Sequence, residues 1–239
     1  VGSVILLAVT AALNRDKLKI RLRDAGWFLA MGLCSILLFT ICYFQAISLA
    51  SLSVAAILLY TAPIMVMLMS LVLFHEKMTK RKFLALLMAF LGCVLVSGIG
   101  RDSRISAAAI GFGLASAFGY GLYSILGTFV LRRCHPITVT TYSFLCAGIG
   151  ALLISHPTDI LRKIQAAQNP ANVVVLIFLT AIVTAALPYL AYTIGLSFVK
   201  ASSASIMASI EPVVATIAGF VIFQEKLTVF SLIGIALVI

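Results

Sequence analysis

Two apolar segments 149 positions apart constrain this chain more than any other feature. Ser202–Lys226, SSASIMASIEPVVATIAGFVIFQEK, is long enough to cross a bilayer as one helix, and Ser53–Lys77, SVAAILLYTAPIMVMLMSLVLFHEK, lies on it in register. Ser53/Ser202, Ala55/Ala204, Ile57/Ile206, Pro63/Pro212, Val72/Val221, Phe74/Phe223, Glu76/Glu225 and Lys77/Lys226 are identical pairs. Thr79/Thr228 and Tyr43/Tyr192 extend the match. The chain is therefore a doubled unit. One copy sets Glu211 beside its proline where the other has Ala62. A carboxylate and a helix breaker side by side in hydrocarbon are costly, so both need a reason.

The surrounding sequence is of the same kind. Of 239 residues 63% are hydrophobic and only 10% charged, with mean hydropathy +1.20, whereas soluble domains run near a quarter charged. The class is an all-α polytopic membrane protein. The net charge of +10 then reads as loop charge that sets topology, and no basic stripe interleaved with aromatics accompanies it, so nucleic acid is excluded as a partner. Cys34, Cys42, Cys93, Cys134 and Cys146 are scattered and form no CxxC. They read as small apolar residues, with no metal site and no cofactor implied. No HExxH, GxSxG, P-loop or paired-carboxylate pattern appears, so the chain is not expected to be an enzyme.

Seven complete spans follow from the pattern: Gly26–Ile47, Ser53–Phe74, Phe83–Ile99, Ala109–Leu131, Thr138–Ile154, Val173–Phe198 and the second copy beginning at Ser202. Val1–Leu13 and Leu227–Ile239 read as cut spans, too short to cross a bilayer. The offset supplies the rest. Thr138–Ile154 maps onto the cut first span, and Ala109–Leu131 onto a helix that would precede Val1. The expected plan is a ten-helix inverted-repeat (5+5) transporter, with the first helix and the end of the tenth missing here. Residues 1–99 form the first repeat (spans 2–5), 100–106 the inter-repeat loop and 107–239 the second repeat (spans 6–10). Alternate loops, among them 14–25, 75–82 and 132–136, hold twelve lysines and arginines against five in the others. That places the richer set in the cytoplasm. The long loop His156–Asn172 is then external, with a surface helix capped by Thr158 or Asp159 and Ile160, Leu161 and Ile164 on one face.

Glu211 is the first candidate for chemistry. It lies about 13 Å from the inner end of its helix at 1.5 Å per residue, and no lysine or arginine lies inside any visible span to pair with it. It is a proton site or a site for a cationic amine; the plain alternative is a protonated acid bonded to a nearby carbonyl. Pro63 and Pro212 each remove one backbone hydrogen bond and free the carbonyls of Leu59 and Ala208. With Pro188 they are expected to break helices that line a cavity, although proline kinks are also tolerated in membrane helices. Ala204, Ala208, Glu211, Ala215 and Gly219 share one helix face, which serves close packing or leaves space for a ligand. Tyr120 and Tyr123 share a face, as do Tyr189 and Tyr192; Tyr43 is the repeat mate of Tyr192, and Tyr60 lies one turn before Pro63. These phenols are candidate ligand contacts, or core tyrosines satisfied by carbonyls. Glu76–Lys77 and Glu225–Lys226 read as solvated or capping pairs at helix ends, and His75, His135 and His156 carry no assigned role.

The serine- and alanine-rich helix starts, the mid-span prolines and the terminal Glu-Lys pairs of Ser53–Thr79 and Ser202–Thr228, with the Gly92 and Gly98 helix between them, resemble the EamA domain of the drug/metabolite transporter superfamily. The resemblance covers nearly the whole chain. It implies two inverted five-helix repeats around a central cavity, alternating-access transport in the cell (inner) membrane, often as export, and a Glu-Pro in the second repeat that here is Glu211–Pro212. The expected function is secondary transport of small metabolites such as amino acids or amines, with a small-molecule substrate, the lipid bilayer and a coupled proton as partners. Efflux of multidrug or quaternary-ammonium cations is the alternative, and a non-transporting membrane scaffold or sensor the other.

Overall fold

The computed structural model describes residues 2–13, 18, 20–97, 106–155, 157–224 and 228–239. The charges at 14–17 and Lys19, the inter-repeat loop up to residue 105, His156, and Glu225 to Leu227 lie outside the described residues. All of the regular structure described is helical. The helices are α1 Gly2–Leu13, α2 Ala25–Leu49, α3 Leu52–Phe74, α4 Lys80–Ser97, α5 Ala107–Val130, α6 Pro136–Ile154, α7 Pro157–Gln165, α8 Pro170–Leu196, α9 Ala201–Phe223 and α10 Val229–Val238. Among the described residues six of them, α2, α3, α5, α6, α8 and α9, are long and apolar enough to cross a membrane. The all-α polytopic membrane class expected from composition is the one observed.

Element boundaries follow local chemistry. α4 starts three residues before the expected Phe83, because the Thr79 hydroxyl accepts from the Lys82 amide at 3.3 Å and caps its first turn. The repeat mate of that cap opens α10, where the Thr228 hydroxyl accepts from the Ser231 amide at 3.1 Å. His135, unassigned from the sequence, caps α6 by accepting from the Ile137 amide through Nδ1, with Pro136 at the first helical position. The long loop holds a helix as expected, α7, but it begins at Pro157, so Thr158 and Asp159 lie within its first turn and do not cap it; Arg162 and Lys163 lie in its last.

The irregular backbone also recurs at the 149-residue offset. π-helical turns occupy Met31–Leu37 in α2 and Ala181–Ala186 in α8. α3 breaks into α3a (Leu52–Leu59) and α3b (Ala62–Phe74), and α9 into α9a (Ala201–Ala208) and α9b (Glu211–Phe223). α3b ends on left-handed His75 (φ 52°) and α9b on left-handed Gln224 (φ 56°), whose amides bond to the carbonyls of Ser70 and Gly219. No glycine occupies either position, so both ends carry backbone strain that the flanking structure must hold.

The chain forms two compact units, and each draws segments from both sequence copies. The unit of residues 1–37 and 126–198 is built around α6, on which α1, the π segment of α2 and the second half of α8 pack. Its buried hydroxyls are satisfied locally: Thr140 donates to the Pro136 carbonyl, Thr10 and Thr141 share a 3.3 Å bond, and the Tyr142 phenol donates to the Leu18 carbonyl at 2.7 Å. Gly32 lets α2 approach α6 closely; a Cβ there would sit 2.7 Å from the Ser143 carbonyl. In the turn after α5, burial pushes the Cys134 thiol above its ordinary range, and the Asp24 carboxylate adds to the push.

In the unit of residues 38–125 and 199–239, α4 packs along α10, α9 lies on α4, α9a lies on α3b, and α3a meets α4 and the end of α2. The α4–α10 crossing is set by two glycines. A Cβ on Gly92 would sit 2.7 Å from the Gly234 carbonyl, and one on Gly234 would sit 2.7 Å from the Gly92 carbonyl. Gly92→Ala and Gly234→Ala are each expected to cost about 1–3 kcal/mol by forcing the backbones apart and to lower the melting temperature in detergent. Gly26→Ala, with nothing within 4 Å of its Cβ, is the control, and equal melting of all three proteins would refute the crossing. Cys134 is expected to alkylate slowly at pH 7 and faster at alkaline pH. Asp24→Asn removes a charge that opposes the thiolate, so it should speed the reaction at pH 7, as read by mass spectrometry.

Candidate functional site

The two helix breaks have the same origin. Pro63 and Pro212 lack the amide that would bond to the carbonyls of Leu59 and Ala208. The chain tightens to compensate. Thr61 and Ile64 amides bond three residues back, to Leu58 and Thr61, and the Ser209, Ile210 and Val213 amides bond to Ile206, Met207 and Ile210. The tightening frees one further carbonyl in each copy. In the second copy this is Ser209, which takes the Cys93 thiol as its donor at 3.6 Å. At the first break the Thr61 hydroxyl donates to the Leu58 carbonyl at 2.6 Å.

Between these breaks, within one unit, lies a pocket of about 290 Å³ counting its open mouth. Glu211, Tyr60, Tyr120, Ser205 and Ser209 are the polar residues of its lining, and Leu59, Ala62, Pro63 and Ala208 the apolar ones. Among the described residues the lining contains no lysine, arginine or histidine. Glu211 is an exposed residue of the lining, and it starts helix α9b. Ser205 is almost fully buried and donates to the Ser202 carbonyl at 3.1 Å, which turns its hydroxyl back onto its own helix. Most of that volume is open mouth: the enclosed part has room for little more than a water molecule, so a bound substrate requires the pocket to widen.

The residues named from the sequence fall into three groups. Glu211, Tyr60, Tyr120 and Pro63 line the pocket. Pro212 is buried beside Glu211, and Tyr43 stands one ring away: it stacks on Phe39 at 5.7 Å, and Phe39 meets Tyr120 edge-on at 5.5 Å. Tyr43 and Tyr60 both lie within electrostatic reach of Glu211, and Tyr123 is buried three residues beyond Tyr120. Tyr189, Tyr192 and Pro188 belong to the other unit, where Tyr189 packs edge-on against Phe144 at 5.0 Å and Pro188 follows the π turn of α8. Ser205 and Ser209 were not anticipated. Their signal is the face they share with Ser202, at positions i, i+3 and i+7 of one helix.

The profile of the EamA-like transporter family matches residues 1–98 and 107–239. This chain belongs to the EamA-like transporter family. It is 25% identical over 240 residues to the "Uncharacterized transporter YyaM" of Bacillus subtilis, covering 99% of this chain and 77% of that protein. It is 26% identical over 234 residues to an "Uncharacterized transporter" of Archaeoglobus fulgidus, covering 98% and 81%. A solved crystal structure superposes with a TM-score of 0.79 at 18% identity, covering 99% of this chain and 80% of that one, which shows the fold alone. The EamA protein described here is thus a multi-pass membrane transporter, with a small molecule as its substrate and the bilayer as its solvent. If the pocket receives that substrate, filling it from a wall that carries no chemistry should block binding. Ala208→Leu is expected to leave the melting temperature close to that of the parent and to abolish the stabilisation a bound solute gives. Undiminished stabilisation in the variant would show that the ligand sits elsewhere.

Proposed function

We propose that this EamA protein is a secondary transporter of small organic cations, amines and amino acids among them, which it exports by alternating access with Glu211 holding either the substrate's ammonium group or a proton. The observation that carries the reading is Glu211 itself: an acidic residue on a spanning helix that lines a pocket at paired helix breaks, with no cationic residue among the described residues of the lining. A carboxylate at that depth costs several kcal/mol unless it is neutralised or solvated. A proton and an ammonium ion are the two species that answer the need, and they exclude each other on one carboxylate. Competition for one site is a sufficient coupling mechanism, because each passage of the empty carrier is made with the acid protonated. Tyr60, Tyr120, Ser205 and Ser209 then supply hydrogen bonds around the bound head group. A purely anionic substrate is disfavoured by the same lining.

In this reading residues 1–99 and 107–239 are the two inverted five-helix repeats of a ten-helix transporter, joined through residues 100–106. The protein works in the cytoplasmic membrane with loops 14–25, 75–82 and 132–136 inside, and it carries transport without enzymatic chemistry. A second reading, efflux of quaternary ammonium cations, draws support from the ring series Tyr43–Phe39–Tyr120 reaching the pocket wall. Such cations cannot donate hydrogen bonds, so competition by tetramethylammonium against ethylamine separates the two.

In proteoliposomes the parent protein is expected to exchange amines for protons, with flux that varies across pH 5–8. Binding should strengthen as pH rises, because an ammonium ion needs the ionised carboxylate. Glu211→Gln should fold, keep its melting temperature and lose that exchange. A Glu211→Gln protein with parental flux and parental pH dependence would refute the role of Glu211.

A further inference from the structure

The sequence reads Glu76 as a solvated or capping charge at a helix end, and the structure ties it to two other elements. Left-handed His75 turns the chain back at the end of α3b, so the Glu76 side chain is only 8% exposed. Its Oε2 accepts from Lys82 Nζ at 3.2 Å and from the hydroxyl of Ser202, and the same Lys82 ammonium donates to Ser202 Oγ at 2.9 Å. Ser202 is fully buried. Three elements, the end of α3b, the start of α4 and the first turn of α9a, are tied at one point within one unit.

Ser202 in that cluster is one helical turn before Ser205, which lines the pocket. Ser202, Ser205 and Ser209 recur on one face of α9; the last two line the pocket, and Ser202 is one turn further toward the His75–Lys82 loop. The packing beside it is asymmetric. α9a lies along α3b, whereas its counterpart under the 149-residue offset, α3a along α9b, forms no comparable seam among the described residues. Ser202 is fully buried while its repeat mate Ser53 is half-buried. A doubled scaffold whose two equivalent seams differ in this way is shut at one end and parted at the other.

We propose that Glu76, Lys82 and Ser202 form a latch that shuts the loop-side end of the pocket, and that this latch must break for the pocket to open toward the His75–Lys82 loop. The inference rests on the alternating-access reading above and names the contact that sets which side has access. The chemistry suits a latch. Held together, the carboxylate and ammonium satisfy each other and the serine bridges them. Parted in an aqueous opening, each is rehydrated, so the pair is stable in two arrangements. Removing one partner leaves the other charge buried and unpaired, which favours the open seam.

The test reads access to the pocket and needs no substrate. The five native cysteines are replaced, Ala208→Cys is introduced, and a membrane-impermeant methanethiosulfonate is applied to sealed vesicles of each orientation. Labelling of the parent is expected mainly from the side opposite the His75–Lys82 loop. Glu76→Gln and Ser202→Ala should each raise labelling from the loop side. Bridging Glu76→Cys with Ser202→Cys by a short bis-thiosulfonate before labelling, with the pocket cysteine left free, should abolish it. Ser202→Ala deletes a single oxygen, so it carries the test if Glu76→Gln fails to fold. Loop-side labelling that is equal in parent, Ser202→Ala and bridged protein overturns the latch. Because Glu211 is untouched throughout, that outcome leaves the proposed proton–ammonium exchange standing, and failure of the exchange assay leaves the latch result standing.

Discussion

The structure depends on two missing amide hydrogens. In water a proline inside a helix leaves a carbonyl that solvent can satisfy; in hydrocarbon it does not, and the chain must answer from within. At Pro63 and Pro212 it answers by tightening to three-residue bonds, which frees a further carbonyl in each copy and parts each helix into two rods. Once parted, the rods can pack independently. α9a goes to α3b and α9b to α4, and the space left where the breaks face each other is the pocket. The Cys93 thiol on the Ser209 carbonyl shows how finely the accounting is kept: the donor is weak, but it comes from a neighbouring helix and adds no charge.

Much of this is legible in the sequence. Identity at a fixed offset located both prolines and isolated Glu211 as the unshared residue, because side-chain identity is what a repeat preserves. The π turns of α2 and α8 were not legible, since no residue type marks them; they recur at matched positions only as backbone geometry. Ser205 and Ser209 were passed over because serine in an apolar helix ordinarily bonds its own backbone, and Ser205 does just that while still facing the pocket. The burial of Glu76 is hidden for a different reason. A left-handed residue is anticipated from glycine or asparagine, and here it is His75, so nothing in the letters shows the chain folding its acid back under α9a. The tyrosines mark a limit of counting along one helix: spacing places Tyr120 with Tyr123 and Tyr189 with Tyr192 correctly, but it does not say which unit each pair enters.

The matched irregularities also separate what the scaffold requires from what the copies do differently. Breaks, left-handed ends, π turns and threonine caps occur twice. Glu211 occurs once, and so does the Glu76–Lys82–Ser202 cluster, because the offset places Ser231 where the first copy has Lys82. Geometry that both copies share can move either way with little bias. A charge present in only one copy gives the two ends different energies, and a carrier with a preferred resting state needs such a difference.

The position of Glu211 on its own helix completes this account. It is the first residue of α9b, where the helix N-terminus favours negative charge by about 0.3–1 kcal/mol. That is small beside the several kcal/mol that a bare carboxylate costs at mid-membrane. The helix end therefore orients and partly stabilises the charge without satisfying it. A fully satisfied carboxylate, locked to an arginine, would bind nothing else; an unsupported one would stay protonated and exchange nothing. A carboxylate held at a helix start, within reach of two phenols and in the lining of a small pocket, sits between those extremes, and in the proposed cycle that intermediate position is what lets a proton and an ammonium group replace one another.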